Sequence, residues 1–433
     1  MERREALKLL FGASGVGLAA LSSGLPASFL VRPLSKVSAQ AACDAAKSQY
    51  LIMSISGQGD GVNANVPGSY AYPDIVHAPD PSMAKTPITL AGKSVEGAKI
   101  WSTLPQNVLD RTAFIHHSTM TNNHPNLAKV MRMMGATNRS EMIASIAAKH
   151  LSGCFQTIQP APVSVGAGSG FTYVGRTLPN LQPTALRDLL AKDATPLGNL
   201  QALRDKTVDG IYGVLKTNGT RAQLAYLDSL AQSRTQARSI SADLLQMLSQ
   251  IDNDSEAGQI LAAVALIKMN VAPAMLVRFK FGSDNHSDQD LMTREVPEQT
   301  AGVGYIASLM QTLAANGLQD KVTFAMMNVF GRTLKKKGME GRDHWAGHHV
   351  TVMIGKNVKG GVVGGLVPTD KNDDYIASAI DSATGLASAT GDVSADLTLS
   401  STGKTLNAVL GVPNDVIDMG VTTGKVFPTV LAG

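Results

Sequence analysis

The sequence predicts an α/β fold with a mostly parallel central sheet and helices on both faces. Short apolar, β-capable runs alternate with helical stretches along much of the chain, which is typical of strands joined by crossover helices. Four of the predicted strands also end in polar residues. Because ligands of open α/β folds bind beyond the carboxyl ends of the strands, the same pattern indicates where a functional site would lie.

The polar residues follow the predicted strands closely. The strands and their polar ends are 50–56 with Asp60, 111–117 with His116 and His117, 274–281 with Asp284 and His286, and 322–327 with Asn328 and Arg332. A further strand, 350–354, comes after a loop that carries Asp343, His344 and His348. In a parallel sheet the four strand ends share one edge, and the loop can fold back over it.

The segments between these strands predict covering helices and loops. Helical periodicity predicts helices at 126–134, 140–150, 256–271, 299–316 and 405–410. Residues 185–251 also show helical periodicity, with polar faces, and are expected to form a helical insertion or cover. The Pro- and Gly-rich stretch 62–100 is expected to be a long surface loop with little regular structure, and 154–183 an elaborated loop or a small excursion from the main sheet.

The first 41 residues predict a cleaved twin-arginine signal peptide. Arg3 and Arg4 precede a Gly-, Ala- and Leu-rich stretch at 9–31, and Ala39-Gln40-Ala41 offers small residues for cleavage. The alternative is a membrane anchor, since 9–31 is long enough to span a bilayer. Its four serines, four glycines and one proline make it weakly apolar. We therefore expect a periplasmic or secreted protein that uses the twin-arginine export machinery, keeps no transmembrane anchor and forms one domain over 42–433.

Charge and cysteine content narrow the chemistry. Outside residues 1–41 the chain has 33 basic and 32 acidic residues, with no basic patch interleaved with aromatics, so nucleic acid is not an expected partner. Cys43 and Cys154 can pair in an oxidising compartment, but the sequence leaves the pairing open. Two cysteines are too few for a zinc–thiolate site, so a metal would need His and carboxylate ligands.

Carboxylates and imidazoles near the strand ends predict a divalent metal site. Asp284 and His286 lie two residues apart after a strand, and Asp343-His344 with His348 forms a second set. Such mixed ligands suit Zn, Mn or Fe, and two sets suit a two-metal hydrolase. The alternative is that these side chains only bind one another and close loops.

The loop after strand 111–117 holds the best candidates for a nucleophile. Thr119 and Thr121 lie just before a predicted helix start, and Asn123 is placed to hold an oxygen of an anionic substrate. Their more common role is capping and loop closure. Arg332 is the candidate clamp for a phosphate or sulfate, with an ion pair to Asp343 or Asp60 as the alternative.

Taken in order, these motifs resemble the exported bacterial proteins of the domain-of-unknown-function family 1501. The motifs are Gly57-Gln58-Gly59-Asp60-Gly61, Asn123-His124, Gly282-Ser283-Asp284-Asn285-His286, Phe330-Gly331-Arg332-Thr333, Arg342-Asp343-His344 and Lys359-Gly360-Gly361. The resemblance implies a fold similar to the alkaline phosphatase and sulfatase superfamily, with one or two metals at strand ends. It implies metal ligands at Asp60, Asp284, His286, Asp343 and His344, with His348 as a further candidate. It also implies a nucleophile or substrate region at 119–124, and Asn123, His124 and Asn328 are the candidate substrate-binding residues.

The sequence departs from the family pattern at three places. Asn328-Val329 stands where many relatives carry Ser-Glu, Gly57-Gln58-Gly59-Asp60 replaces Gly-Gly-Asn-Asp, and Ser283 replaces a tryptophan. The first change removes a carboxylate and weakens a two-metal centre most. The expected function is metal-dependent hydrolysis of phosphate or sulfate esters, with Zn favoured and Mn, Ca or Mg open. The alternative is a catalytically inactive member that binds or assembles at the cell envelope.

Overall fold

The computed structural model describes most of the chain beyond the predicted signal peptide. The described residues are 43–168, 171–191, 242–281, 285–335 and 340–433, with isolated positions between 207 and 228. The signal peptide, most of the helical cover predicted at 185–251, and Asp284 lie outside these residues. Within them, no helix is both long and apolar enough to cross a membrane.

An eight-stranded sheet forms the centre of the molecule, and the other described strands form two-stranded pairs. In chain order the strands are β1 (Tyr50–Ser56), β2 (Lys85–Leu90), β3 (Lys93–Ala98), β4 (Thr112–His117), β5 (Val163–Val165), β6 (Thr172–Tyr173), β7 (Arg176–Thr177), β8 (Asn180–Leu181), β9 (Ala274–Val277), β10 (Val322–Asn328), β11 (Gly331–Arg332), β12 (His344–Trp345), β13 (His349–Ile354), β14 (Gly361–Val363), β15 (Leu366–Pro368) and β16 (Tyr375–Ala377). The sheet has the order β14-β4-β13-β10-β1-β9-β5-β8. Seven of its strands run in one direction, and β13 runs antiparallel to both neighbours.

Helices cover both faces of this sheet. In chain order they are α1 (Gln106–Leu109), α2 (Leu127–Met131), α3 (Ile143–Phe155), α4 (Pro183–Ala191), α5 (Ala242–Ser249), α6 (Glu256–Lys268), α7 (Glu295–Ala315), α8 (Thr398–Val409) and α9 (Asn414–Gly420). Ile52 of β1 belongs to a core shared with α4 to α7, whereas its neighbours Leu51 and Met53 belong to a core shared with α2, α3, α8 and α9. Successive strand residues point to opposite faces, so the continuous apolar run of β1 fits a strand buried on both sides.

The predicted α/β architecture with a mostly parallel sheet is therefore confirmed, but the predictions for two stretches between strands are wrong. Residues 62–100 contain the antiparallel pair β2–β3, and Val62, Val66 and Leu90 are buried in the core. Residues 154–183 supply β5 and β8 to the main sheet. Strands β5 and β8 have three and two residues, which is too short for a periodic pattern to show in the sequence.

A disulfide joins Cys43 to Cys154, which settles the pairing that the sequence left open. It ties the start of the described chain to the last turn of α3. The bond spans 111 residues, and a closed loop of that size restricts the unfolded chain enough to stabilise the fold by about 5 kcal/mol in the chain-entropy estimate.

Candidate functional site

The carboxyl ends of β1, β4 and β10 meet the start of β13 at one edge of the sheet. Ser56 at the end of β1 pairs with Asn328 at the end of β10, and His117 at the end of β4 pairs with His349 at the start of β13. The described strand ends therefore meet as the alternating pattern predicts. The polar residues at this edge fall into a buried part and an open part.

Asp60 is the centre of the buried part. It follows β1 and is fully buried. Its Oδ2 accepts a hydrogen bond from the side-chain amide of Asn328, and its Oδ1 accepts one from the backbone N–H of Val62 at 3.2 Å. Burial raises the pKa of Asp60 to about 7, although the bonds from Asn328 and Val62 and the charge of Arg332 act in the opposite direction. Protein donors thus contact both carboxyl oxygens.

His349 faces Asp60 with an N–H group. Its Nε2 accepts a hydrogen bond from the backbone N–H of Asn328 at 2.9 Å, so the neutral ring carries its proton on Nδ1. That Nδ1 lies 3.8 Å from Oδ1 of Asp60 and has no hydrogen-bond partner in the described structure. Burial, and then the neighbouring His117, hold the pKa of His349 well below its usual range. The ring therefore stays neutral and directs no lone pair at Asp60.

His348 and His116 form a second buried pair with a fixed direction of donation. Nε2 of His116 donates to the carbonyl of Pro67 at 3.0 Å, so its Nδ1 accepts from Nε2 of His348, also at 3.0 Å. Nδ1 of His348 then accepts from the side-chain amide of Asn63 at 3.3 Å. Burial lowers the pKa of His116 to about 4 and that of His348 well below its usual range. In this geometry both ring nitrogens of His348 are used inside the protein.

An open cleft of about 400 Å³ forms the second part of the site. It is lined by Asn122, His286, Asp343, His344, Trp345 and Ala346. Three of these residues are metal candidates from the sequence, and Asn122 lies in the predicted 119–124 region, while Trp345 and Ala346 are not predicted by any motif. The cleft is built from the loop after β4 and from β12 with its flanking residues, so the return loop does fold over the strand ends.

His124 and His344 are held in a matching way near this cleft. Each donates Nδ1–H to a backbone carbonyl, His124 to Gly57 at 2.7 Å and His344 to Asn122 at 2.8 Å. Their ring centroids are 4.5 Å apart. Nε2 is therefore the acceptor on each neutral ring, and that of His344 is buried without a hydrogen-bond partner. Burial lowers the pKa of His344, and the charge of Arg332 adds to the effect.

His286 connects the cleft to a buried arginine. Its Nδ1 donates to Oδ1 of Asp343 at 2.9 Å, and the two side chains are 38% and 48% exposed. Its Nε2 accepts from Nη1 of Arg332 at 3.3 Å. Arg332 is itself fully buried and also donates to the carbonyl of Gln58 at 3.2 Å. In this position Arg332 holds His286 and the Gln58 carbonyl by hydrogen bonds, and it does not line the cleft.

The buried ion pair between Arg342 and Glu295 holds the loop that carries Asp343 and His344. Nε and Nη2 of Arg342 donate to the two carboxylate oxygens of Glu295 at 2.7 and 3.1 Å. The other donations of the guanidinium go to the carbonyls of Thr333, Leu334 and Val76. Glu295 begins α7, whose first backbone N–H groups are capped by Asp288. Arg342 belongs to the Arg342-Asp343-His344 motif, which assigns it no role, and Glu295 belongs to no predicted motif.

The two candidate nucleophiles are used within the loop after β4. Thr119 Oγ1 donates to the carbonyl of Thr121 at 3.2 Å. Thr121 Oγ1 accepts from the backbone N–H of Asn123 at 3.3 Å and from the amide of Asn126 at 2.8 Å. Both threonines are buried, and neither lines the cleft. These contacts are those of loop closure and capping, while a nucleophilic role stays a prediction.

The two parts of the site differ in how well they fit a metal. Among the described residues, which exclude Asp284, no three His, Cys, Asp or Glu side chains are arranged to hold one ion. On the open side, His124 and His344 still have the usual arrangement of metal-binding histidines, a carbonyl on one nitrogen and a lone pair on the other. On the buried side, Asp60 is surrounded by hydrogen-bond donors. The open side therefore fits part of a metal shell, and the buried side does not fit one.

Comparison with protein families finds a match over part of the chain. Residues 208–390 match the model of a protein of unknown function, DUF1501. The matched segment contains the candidate residues from Asp284 to His348, while Asp60 and the 119–124 loop precede it. A comparison with curated proteins found no match. The family match supports the resemblance seen in the motifs and carries no reaction with it.

Proposed function

We propose that the protein is an exported binding protein of the cell envelope that takes a cationic ligand in its cleft and does not hydrolyse esters. The observation that carries this proposal is the polarity of the cleft. His344 offers an unpartnered acceptor nitrogen, and the half-exposed carboxylate of Asp343 lies beside it among the lining residues. A lone pair and a negative charge attract a cation and disfavour phosphate.

The groups that ester hydrolysis would require form hydrogen bonds within the protein. The hydroxyl of Thr119 donates to a backbone carbonyl, and that of Thr121 accepts two hydrogen bonds. Arg332 donates to His286 and to the carbonyl of Gln58 from a fully buried position. A ligand in the cleft would thus meet the half-exposed carboxylate of Asp343 first, because Nε2 of His344 is buried. The charge of Arg332 would oppose a cation and is partly offset by Asp343.

Zinc is the probe that tests the cleft, because imidazole and carboxylate are suitable ligands and water can complete its shell. Calorimetric titration of the processed protein with Zn²⁺ should show one site. His344→Asn keeps a donor for the Asn122 carbonyl but removes Nε2, and should weaken binding at least about tenfold. His77→Asn, which changes a histidine that does not line the cleft, should not. Equal affinity in all three proteins, or binding of inorganic phosphate in place of Zn²⁺, would contradict the proposal.

Export is supported by two features of the chain. Arg3-Arg4 and the small residues at 39–41 fit a twin-arginine signal, and the disulfide between Cys43 and Cys154 suits an oxidising compartment. Replacing both arginines by lysine should leave the unprocessed chain in the cytoplasm. If cell fractionation shows that this variant is still cleaved and exported, export by the twin-arginine pathway is contradicted.

Metal-dependent hydrolysis of phosphate or sulfate esters, on an alkaline phosphatase-like fold, is the second candidate function. It is favoured by the gathering of Asp60, His286 and Arg332 near one sheet edge, together with the family resemblance. A screen of ester substrates with Zn, Mn, Mg and Ca separates the two functions. Turnover abolished by both His286→Ala and Thr121→Ala would replace the binding proposal with the enzymatic one.

A further inference from the structure

The buried side of the site has a carboxyl group that two N–H donors contact directly, in addition to the charge of Arg332 nearby. Oδ2 of Asp60 is contacted by the side-chain N–H of Asn328, and Oδ1 by the backbone N–H of Val62 at 3.2 Å. When Asp60 is ionised, the opposite orientation of the Asn328 amide would place its oxygen against the carboxylate, which is repulsive, so the amide nitrogen faces Asp60.

His349 strengthens this arrangement from the other side. Its ring orientation is fixed because Nε2 accepts the backbone N–H of Asn328 at 2.9 Å. The nitrogen nearest to Asp60, at 3.8 Å, therefore bears a hydrogen and cannot act as a neutral metal ligand. This contact uses the backbone of residue 328, so it does not depend on which side chain stands there.

We propose that Asn328 occupies the role of a cation beside Asp60, so that the buried side of the site takes no metal and any bound cation is confined to the cleft. The inference goes beyond the proposed binding role, because it holds whether or not the cleft takes zinc. It makes Asn328 the residue that determines how many cations the protein can hold.

A carboxylate in place of the Asn328 amide would favour a bound cation beside Asp60. Asp has the size of Asn but brings an acceptor where the amide brings a donor, and two adjacent buried carboxylates repel unless a proton or a cation lies between them. Their oxygens would suit a hard cation such as Mn²⁺, since oxygen ligands are the ones it prefers. His349 would contribute no lone pair, so the ligands would be carboxylate oxygens and water.

The experiment compares Mn²⁺ binding by the processed protein and by Asn328→Asp, counted by electron paramagnetic resonance of the free ion. We expect Asn328→Asp to bind one Mn²⁺ per chain more than the wild type, and to gain thermal stability on adding Mn²⁺ that the wild type does not gain. Asn407→Asp is the matched control. Asn407 is also buried, with one unpartnered amide oxygen, but lies in α8, so the new carboxylate should gain no Mn²⁺.

Asp60→Asn tests the same inference without adding charge, and it decides the matter if Asn328→Asp does not fold. An asparagine at position 60 keeps one oxygen for the Asn328 amide and turns its NH2 toward the N–H of Val62. The variant should therefore be less stable but still folded, with the same count of bound Mn²⁺ and Zn²⁺ as the wild type. Loss of a bound cation in Asp60→Asn, or a folded Asn328→Asp that gains none, overturns the inference. The zinc affinity of His344→Asn reports on the cleft separately.

Discussion

The same sheet edge produces two sites of opposite character. The groups that contact Asp60 are buried, and the histidine next to it presents an N–H. Around Asp343 the side chains are partly exposed, and the histidine that lines the same cleft presents a lone pair. Both regions are made of carboxylate and imidazole, so composition alone does not separate them.

The difference lies in the partner of the second ring nitrogen. His349 accepts a backbone N–H at Nε2, which leaves a proton on Nδ1, whereas His344 donates Nδ1–H to a carbonyl, which leaves Nε2 open. A backbone donor or a backbone acceptor thus decides whether a histidine can bind a cation. Burial helps to keep the proton on the same ring nitrogen, because a neutral ring without solvent cannot easily move its proton from one nitrogen to the other.

Arg342→Ala is the change that should affect both regions most. Arg342 joins the loop under the cleft to Glu295 in α7, and its removal leaves a buried carboxylate without its partner. We expect a loss of about 3–5 kcal/mol in the free energy of unfolding, measured by urea denaturation, together with weaker Zn²⁺ binding in the cleft.

A double variant shows whether the loss comes from the stranded charge. Replacing Arg342 by Met and Glu295 by Leu removes both charges but leaves the side-chain amides of Asn65 and Asn285 without their acceptor. It should therefore recover part of the stability lost in Arg342→Ala. It should not restore Zn²⁺ affinity if the pair positions Asp343 and His344. Full recovery of both quantities would show that the pair has no positioning role.

The fold was predictable where strands were long and apolar. Residues 50–56 form β1 as predicted, and the strands predicted at 111–117 and 322–327 differ from β4 and β10 by a single residue. The strand predicted at 274–281 ends early, at Val277, because the chain leaves the sheet while its residues are still apolar: Phe279 and Phe281 are buried in the core beyond β9. The antiparallel direction of β13 and the short strands β5 and β8 depend on tertiary pairing, which has no local signal.

The candidate site was predictable as a place but not as a set of contacts. Polar residues at strand ends located the edge, and His286, Asp343 and His344 do line one cleft. No sequence pattern indicates that His349 faces Asp60, because its role follows from a backbone contact between two strands. Asn122 lies in the predicted 119–124 region and Arg342 in a predicted motif, but their contacts with His344 and Glu295 were not predicted, because no spacing rule records a contact made in three dimensions.

Acid should distinguish the buried histidines from the cleft, and His117 gives the clearest test. Burial lowers its pKa from 6.5 to about 4, so between these values the unfolded chain binds a proton that the folded chain does not, and stability falls as pH falls. In His117→Gln, whose side-chain oxygen can still accept from Thr351, this contribution is absent. Between pH 7.5 and 4.5 the variant should therefore lose about 2.5 kcal/mol less than the wild type in urea denaturation. The raised pKa of Asp60 acts in the opposite sense, but equally in both proteins, and cancels from the difference. Parallel losses in the two proteins would mean that His117 becomes protonated in the folded state as readily as in the unfolded chain, and that burial at this edge does not keep its histidines neutral.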